Sequence, residues 1–326
     1  MGHTDAFHAN SALFQGAVTS MLRRAPHVFS QIETCDLARF FTMRAPFAPG
    51  PLLLKLTASF VDSQGPGAAF DSFANSFCGQ RNPVVAAILA APDAGRMVRR
   101  LQAIEQTGHR GSYTAIEKAE TRRITLKRIR QSTGFDNNLK YCVGYWGFVV
   151  GIFREAGYRN LSLEIEDGHR QWTMLFANGS YNESALASLA KTDRLRISWP
   201  GTPQMSARPA HLPFPVRGDP LVSRVALQLA RFDATTGPML RLTNLAKSNG
   251  RSPRSLQRHL AASGLSLRDL RIALRMQRAS RYIITDDRPL NAVAIDAGFS
   301  DAAHLSREFR RLLGITPQNY QQIARL

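Results

Sequence analysis

Arg254, Gln257 and Arg258 fall within one and a half turns of a helix. Forty-nine residues after Arg258 stands Arg307, followed by Arg310 and Arg311. Guanidinium forks match the O6 and N7 acceptors of guanine, and a carboxamide matches adenine, so such side chains on one exposed helical face are equipped to read base edges in a major groove. Their neighbours are suited to holding phosphate or closing a helix start: Arg251, Ser252, Ser255 and His259 in the first stretch, and Ser300, Asp301, His304 and Ser306 in the second. Ala302 and Ala303 occupy the matching outward positions of the second stretch. A small apolar side chain there still reaches a thymine methyl. His259 and His304 fit either a phosphate or base contact or a packing role.

The elements that position these residues are written twice. Leu242, Leu245 and Ala246 share one helical face, Gly250 ends that helix, Ser252 caps the next, and Pro253 takes its first position. Leu256 and Leu260 turn the second helix back onto the first. The later copy runs through Ala294, Ala297, Gly298 and Phe299, with Ser300 as the expected cap and Leu305 and Phe309 facing inward. Each copy is a pair of short helices about a tight turn, the first over about 242–263 and the second over about 290–313. Between them, Leu267 to Thr285 holds neither Gly nor Pro and sets Leu267, Leu270, Leu274 and Ile283 among five arginines. This predicts one long amphipathic linking helix. A separation matching one turn of B-DNA, about 34 Å, lets both reading helices enter successive major grooves.

The 85 residues from Leu242 to Leu326 resemble the DNA-binding region of the AraC/XylS family of bacterial transcriptional regulators. The resemblance rests on Ser252-Pro-Arg-Ser-Leu-Gln-Arg258, Leu274-Arg-Met-Gln-Arg-Ala279, Ala294-Ile-Asp-Ala-Gly-Phe-Ser300 and Gly314-Ile-Thr-Pro-Gln-Asn-Tyr320. It implies that the second helix of each pair lies in a major groove. The matching positions are Arg254, Gln257 and Arg258 in one pair and Ala302, Ala303 and Arg307 in the other. Many family members carry polar side chains where this chain has the two alanines. The partners implied are double-stranded DNA, a small-molecule effector of unspecified identity, a second copy of the chain, and RNA polymerase if the protein activates.

Composition is consistent with this. The formal net charge is +18, and residues 236–326 hold 15 Lys and Arg against 6 Asp and Glu. Clustered basic charge suits a phosphate-binding surface. A nonspecific architectural DNA binder explains the charge equally well, but not the paired reading helices. An enzyme fused to a helix-turn-helix pair is the remaining alternative. No G-x-S-x-G, H-E-x-x-H, P-loop or clustered cysteine supports it, so no enzyme activity, cofactor or metal is expected. The three cysteines, at 35, 78 and 142, show no metal-ligand spacing and are expected to be reduced structural thiols. No signal peptide is recognised, and the longest apolar stretch, Tyr141 to Phe153, is too short to span a bilayer. A cytoplasmic, nucleoid-associated protein is expected.

Two domains suit the length. Residues 1–219 are expected to form a mixed α+β sensor or dimerisation domain, 220–238 a short helix and linker, and 239–326 an all-α domain with two helix-turn-helix units joined by a long helix. Pro83 to Ile104 predicts a helix broken near Pro92. Tyr113, Ala115, Ile124, Leu126 and Ile129 alternate with polar residues as in a two-stranded ladder, and Asn138 to Ala156 reads as an apolar helix. Leu161, Leu163 and Ile165 form a strand pattern, followed by a turn at Asp167-Gly168 and a strand through Trp172, Met174 and Phe176. This order resembles the first domain of the subgroup that includes ornithine-utilisation regulators, which implies effector binding or dimerisation. Tyr141, Tyr145, Trp146, Phe148 and Trp172 are the candidate pocket residues, with core packing as the alternative. Residues 96–130 carry ten Lys and Arg against three Glu. They suit an anionic effector or a solvated ladder edge. Six prolines between 200 and 220 predict an irregular segment, and Asp233 to Pro238 a joint.

Overall fold

The computed structural model describes residues 8–29, 47–75, 83–108, 112–130, 139–166, 170–177, 179–188, 193–203, 220–233 and 240–326. They form an N-terminal α+β region and a C-terminal region whose regular elements are all helices.

In the N-terminal region, short strands β1 (His8–Asn10) and β2 (Phe47–Pro49) pair antiparallel where helices α1 (Ser11–Arg24) and α2 (Gly50–Ala74) begin. Helices α3 (Pro83–Leu89) and α4 (Ala94–Gly108) follow, separated near Pro92 as the sequence predicts. A hairpin of β3 (Ser112–Glu120) and β4 (Arg123–Arg130) leads to α5 (Leu139–Glu155), then β5 (Ser162–Glu166), β6 (Trp172–Ala177), β7 (Ser180–Tyr181), α6 (Glu183–Ser188) and β8 (Arg194–Ser198). The last six strands make one antiparallel sheet in the order β3-β4-β8-β5-β6-β7. Rows Ile124–Ile197–Leu163 and Leu126–Leu195–Ile165 run across it in register and are buried. Alternation along each strand sends the neighbouring row, Thr125–Arg196–Glu164, to the opposite face.

Helix α5 approaches α2 very closely, and two of its glycines make this possible. A Cβ at Gly147 would lie 2.5 Å from the Phe70 carbonyl oxygen, and one at Gly144 would lie 2.9 Å from the Phe73 ring. Glycine here serves backbone approach at some cost in helix propensity.

Two strand patterns differ from expectation. In β3, Tyr113 pairs with Ile129 on the outer face, half-buried, while the buried face carries Ser112 and Thr114 opposite Arg130 and Arg128. The apolar residues of the hairpin are therefore split between faces, because a buried ion pair occupies the place the alternation assigned to aliphatics. In β6, Trp172 and Met174 do not share a face with Phe176. A register shift leaves Leu163 opposite Phe176 and Glu164 opposite Met174, so Leu175 and Phe176 are both buried and Met174 is exposed. A bulge of this kind switches which side chains point inward.

The C-terminal helices are α7 (Pro220–Asp233), α8 (Leu242–Ser248), α9 (Pro253–Ala262), α10 (Leu267–Thr285), α11 (Leu290–Ala297), α12 (Ala302–Leu313) and α13 (Pro317–Arg325). The expected turn at Asp167-Gly168 and joint after Asp233 lie outside the described residues, as does most of the proline-rich segment. Helix α10 begins with a capping box in which Ser266 and Asp269 satisfy each other's backbone N–H. Helix α13, an element beyond the two expected helix pairs, starts at Thr316 as its cap with Pro317 in the first turn. Its Tyr320 is fully buried against Phe309 and donates a hydrogen bond of 2.6 Å to the Pro83 carbonyl of α3. The C-terminal helices thus pack directly on the N-terminal region. Among the described residues no helix is long and apolar enough to cross a membrane.

Candidate nucleic-acid interface

Helices α8 and α9 form the first pair. Leu245 and Ala246 of α8 and Leu256 and Leu260 of α9 are all buried. The turn between them uses Gly250 at φ 63°, a left-handed conformation that glycine adopts without steric cost. Ser252 is the N-cap, its side chain accepting from the Ser255 N–H at 3.2 Å, with Pro253 following. With the apolar face turned inward, Arg251, Ser252, Arg254, Gln257 and Arg258 are exposed, and Ser255 and His259 are half-buried at the rim. Arg251 reaches back to the Ser255 hydroxyl at 3.4 Å.

The second pair, α11 and α12, repeats the plan with a different start. Gly298, at φ 91°, closes α11, and Phe299 anchors the turn. The cap of α12 is Asp301 and not Ser300: the carboxylate accepts from the His304 N–H at 2.6 Å, while Ser300 donates to the same carboxylate at 3.0 Å. An aspartate one residue later supplies a charged acceptor to the helix start, which its dipole favours. The N–H of His304, then the Ser300 hydroxyl and the charge of Arg307, hold the Asp301 carboxyl below its ordinary range. Leu305 and Phe309 are buried, leaving Asp301, Ala303, Arg307 and Arg310 exposed and Ala302, His304, Ser306 and Arg311 half-buried. His304 stands edge-on to Phe299 with ring centroids 5.2 Å apart, and its Nδ1 lies 3.1 Å from the Ser300 hydroxyl, so it braces the turn. Arg311 bonds Glu308 at 2.7 Å and is directed along the helix.

Between the pairs, α10 is 19 residues long, about 28 Å at the usual rise per residue. Its arginines are not one solvated stripe. Arg271 donates to the Leu240 carbonyl, and Arg275 lies over Gly298, where an added Cβ would come within 3.3 Å of its Nε. The linking helix therefore contacts the chain just before α8 and the turn that follows α11.

Three of the aromatic residues proposed for a pocket pack on one another: Tyr145, Trp146 and Phe148 are buried in α5, the Tyr145 ring centre lies 5.1 Å from that of Trp146 and 6.3 Å from that of Phe148, and Tyr145 meets Arg128 on the buried face of the sheet. Trp172 lies on the other face, with the Arg196 guanidinium 3.8 Å from its ring centre. Tyr141 begins α5, but its side chain is outside the described residues, as are Cys35 and Cys78; Cys142 is buried. Two cations of the basic 96–130 stretch are neither solvated nor open to a ligand. Arg128 pairs with Glu105 at 2.9 Å and bonds Thr114 at 2.8 Å inside the fold, and Arg100 is buried between two helix ends. Sequence reasoning had no signal for these burials, since each depends on a partner far along the chain.

Two exposed, capped, basic helices braced by one linking helix define a double helix-turn-helix DNA-binding region. Residues 245–323 match the family model described as "Helix-turn-helix domain". The chain is 41% identical over 69 residues to the HTH-type transcriptional regulator VirS of Mycobacterium tuberculosis, covering 21% of this chain and 20% of that protein. It is 32% identical over 89 residues to the ornithine utilization regulator of Pseudomonas aeruginosa, covering 27% and 26%. With the transcriptional activator NphR of a Rhodococcus species it shares 33% over 81 residues, 25% and 24% of the two chains. The C-terminal region belongs to the AraC type of helix-turn-helix domain. The chain matches only about a quarter or less of the length of these relatives. A crystal structure of the transcriptional regulator CdpR from Pseudomonas aeruginosa aligns over 95% of this chain and 98% of that one at 13% identity, with a TM-score of 0.28.

Proposed function

We propose that the protein is a sequence-specific transcription regulator that reads two adjacent major grooves with α9 and α12. The observation that carries this reading is the pairing of two exposed faces, Arg254, Gln257 and Arg258 on one helix and Ala303 and Arg307 on the other, held apart by α10. A separation of α9 and α12, set by α10, that matches the ~34 Å repeat of B-DNA would place both helices on one face of the duplex. Arg258 and Arg307 are the principal base or phosphate contacts, with Ser252, Ser255, Asp301 and Ser306 setting the helix starts and rims. The N-terminal region acts as sensor or pairing domain: a small effector or a second copy of the chain shifts how the reading helices are presented to tandem half-sites. The AraC-type domain supports this reading, as do the names of the regulators it resembles. RNA polymerase is a partner if the protein activates, and the bacterial nucleoid is the expected location.

The test is selection of bound genomic fragments at about 150 mM salt, where nonspecific binding is weakened, using the full chain and the Arg258→Ala, Arg307→Ala double variant. A shared motif recovered by the parent and lost by the variant supports the reading. Unrelated fragments recovered by both overturn it in favour of backbone binding alone. Titration calorimetry with small metabolites and sedimentation of the full chain test the sensing role, which fails if no ligand binds and the protein stays monomeric.

A further inference from the structure

Helix α4 faces two ways. At Glu105 it enters a closed polar cluster inside the N-terminal region. The Glu105 carboxylate accepts from Arg128 at 2.9 Å and from the Thr114 N–H at 2.7 Å; Arg128 also bonds the hydroxyls of Thr114 and Ser112 and lies 3.6 Å over the Tyr145 ring, whose hydroxyl meets Thr114. Every one of these side chains is buried. Five residues earlier, about 7.5 Å along the same helix, Arg100 turns the other way. Its guanidinium donates to the Ala87 carbonyl in the last turn of α3, at 2.8 Å, and to the Ala324 carbonyl in the last turn of α13. One buried cation thereby joins the carbonyl ends of two helices, where positive charge is favoured. Beside it, the Tyr320 hydroxyl of α13 bonds Pro83 at the start of α3. The same Tyr320 ring packs on Phe309 of α12, 5.4 Å between ring centres.

We propose that α4 is a transmission helix, coupling the Glu105–Arg128–Tyr145 cluster to the docking of α13 and through it to the seat of α12. The clamp touches α13 and leaves Arg307 and Arg310 exposed, so it sets the orientation of the second reading helix without covering it. A packed helix moves as a unit: a change in the cluster that rotates or shifts α4 displaces Arg100 from two carbonyls at once, and the docked and undocked arrangements are separate states, not a continuum. The first helix pair is tied instead to α7, Asn249 Nδ2 donating to Gln228 Oε1 at 2.7 Å. Coupling through α4 therefore falls on the second pair. From the proposed function it takes only that α12 meets DNA.

The experiment is hydrogen exchange of the α13 amides in the full chain, free of DNA, for the parent, Arg100→Met, Tyr145→Phe and the two combined. Loss of a charge-assisted bond predicts exchange about tenfold faster or more across 317–325 in Arg100→Met. Tyr145→Phe, remote from α13 and retaining its ring, is expected to speed the same amides severalfold, and to add nothing in the Arg100→Met background. Faster exchange confined to β3, β4 and α5 in Tyr145→Phe overturns the coupling, as does simple additivity of the two. If Arg100→Met does not fold, Arg100→Lys, which keeps the charge and loses the two-pronged reach, takes its place; unchanged α13 exchange in that variant removes the clamp. Affinity for a duplex recovered from the genomic selection is read separately. No selective duplex together with coupled exchange sinks the DNA reading and leaves the transmission helix supported.

Discussion

The two helix pairs share a plan and differ in what surrounds them. The first, α8 and α9, presents Arg254, Gln257 and Arg258 to solvent from a hydroxyl-capped helix. The second, α11 and α12, carries two alanines and one outward arginine at the matching positions, yet its core continues through Phe309 and Tyr320 into α3 and α4. Base-reading side chains are concentrated in one copy, while the other is joined through α13 to α3 and α4, and α10 packs on α3 as well. Duplication of a small unit allows this division, because each copy needs only its apolar face to persist while the remaining positions diverge.

Core truncation should expose the contrast most strongly. Phe309→Ala is expected to cost about 3–5 kcal/mol and Leu256→Ala about 2–5 kcal/mol in denaturant unfolding. The informative part is where exchange rises: Phe309→Ala should loosen α3 as well as α12 and α13, whereas Leu256→Ala should stay within α8 and α9. Equal spread from both would erase the distinction. On DNA the asymmetry should reverse. Arg258→Ala is expected to weaken a selected site by about 1–3 kcal/mol and relax its sequence preference. Ala303→Ser, on the sparser face, should shift competition binding little. The turns give a smaller contrast. Gly250→Ala meets open space but keeps a left-handed backbone, a penalty of about 1–2 kcal/mol. Gly298→Ala carries that strain and must also displace Arg275, so its unfolding midpoint should fall further.

Legibility in the sequence follows how local the determinants are. The helix pairs, the linking helix and the break near Pro92 were visible because glycine, proline and apolar spacing act within a few residues. Ser252 is a cap, as its place before Pro253 predicts. Ser300 is not, since it stands beside Asp301 and the better acceptor takes the role. In the N-terminal region the helices and strands were visible, but not which face of β3 or β6 is buried. Thr114 lies inside because Arg128 and Glu105 need it, and Trp172 lies outside because a bulge shifts β6 by one residue. The docking of α13 was invisible for the same reason: Tyr320 and Pro83 are 237 positions apart.

The finest difference between the pairs is the chemistry of their caps, and it separates them by pH. Ser252 does not titrate in the working range, so the start of α9 should be indifferent to acid. Asp301 is held below its ordinary value of 3.8, first by the His304 N–H and then by Ser300. A carboxyl whose folded value is depressed stabilises the fold above its unfolded value and loses that contribution as pH falls through the folded one. Stability of the parent should therefore drop more steeply below about pH 4 than that of Asp301→Ser, where the charged acceptor is gone. Ser252→Ala should cost about 1 kcal/mol at every pH. Unfolding midpoints of the three proteins from pH 7 to pH 3 check this. Parallel curves for the parent and Asp301→Ser would mean that the charge at the start of α12 contributes nothing, and the two helix starts would then be equivalent.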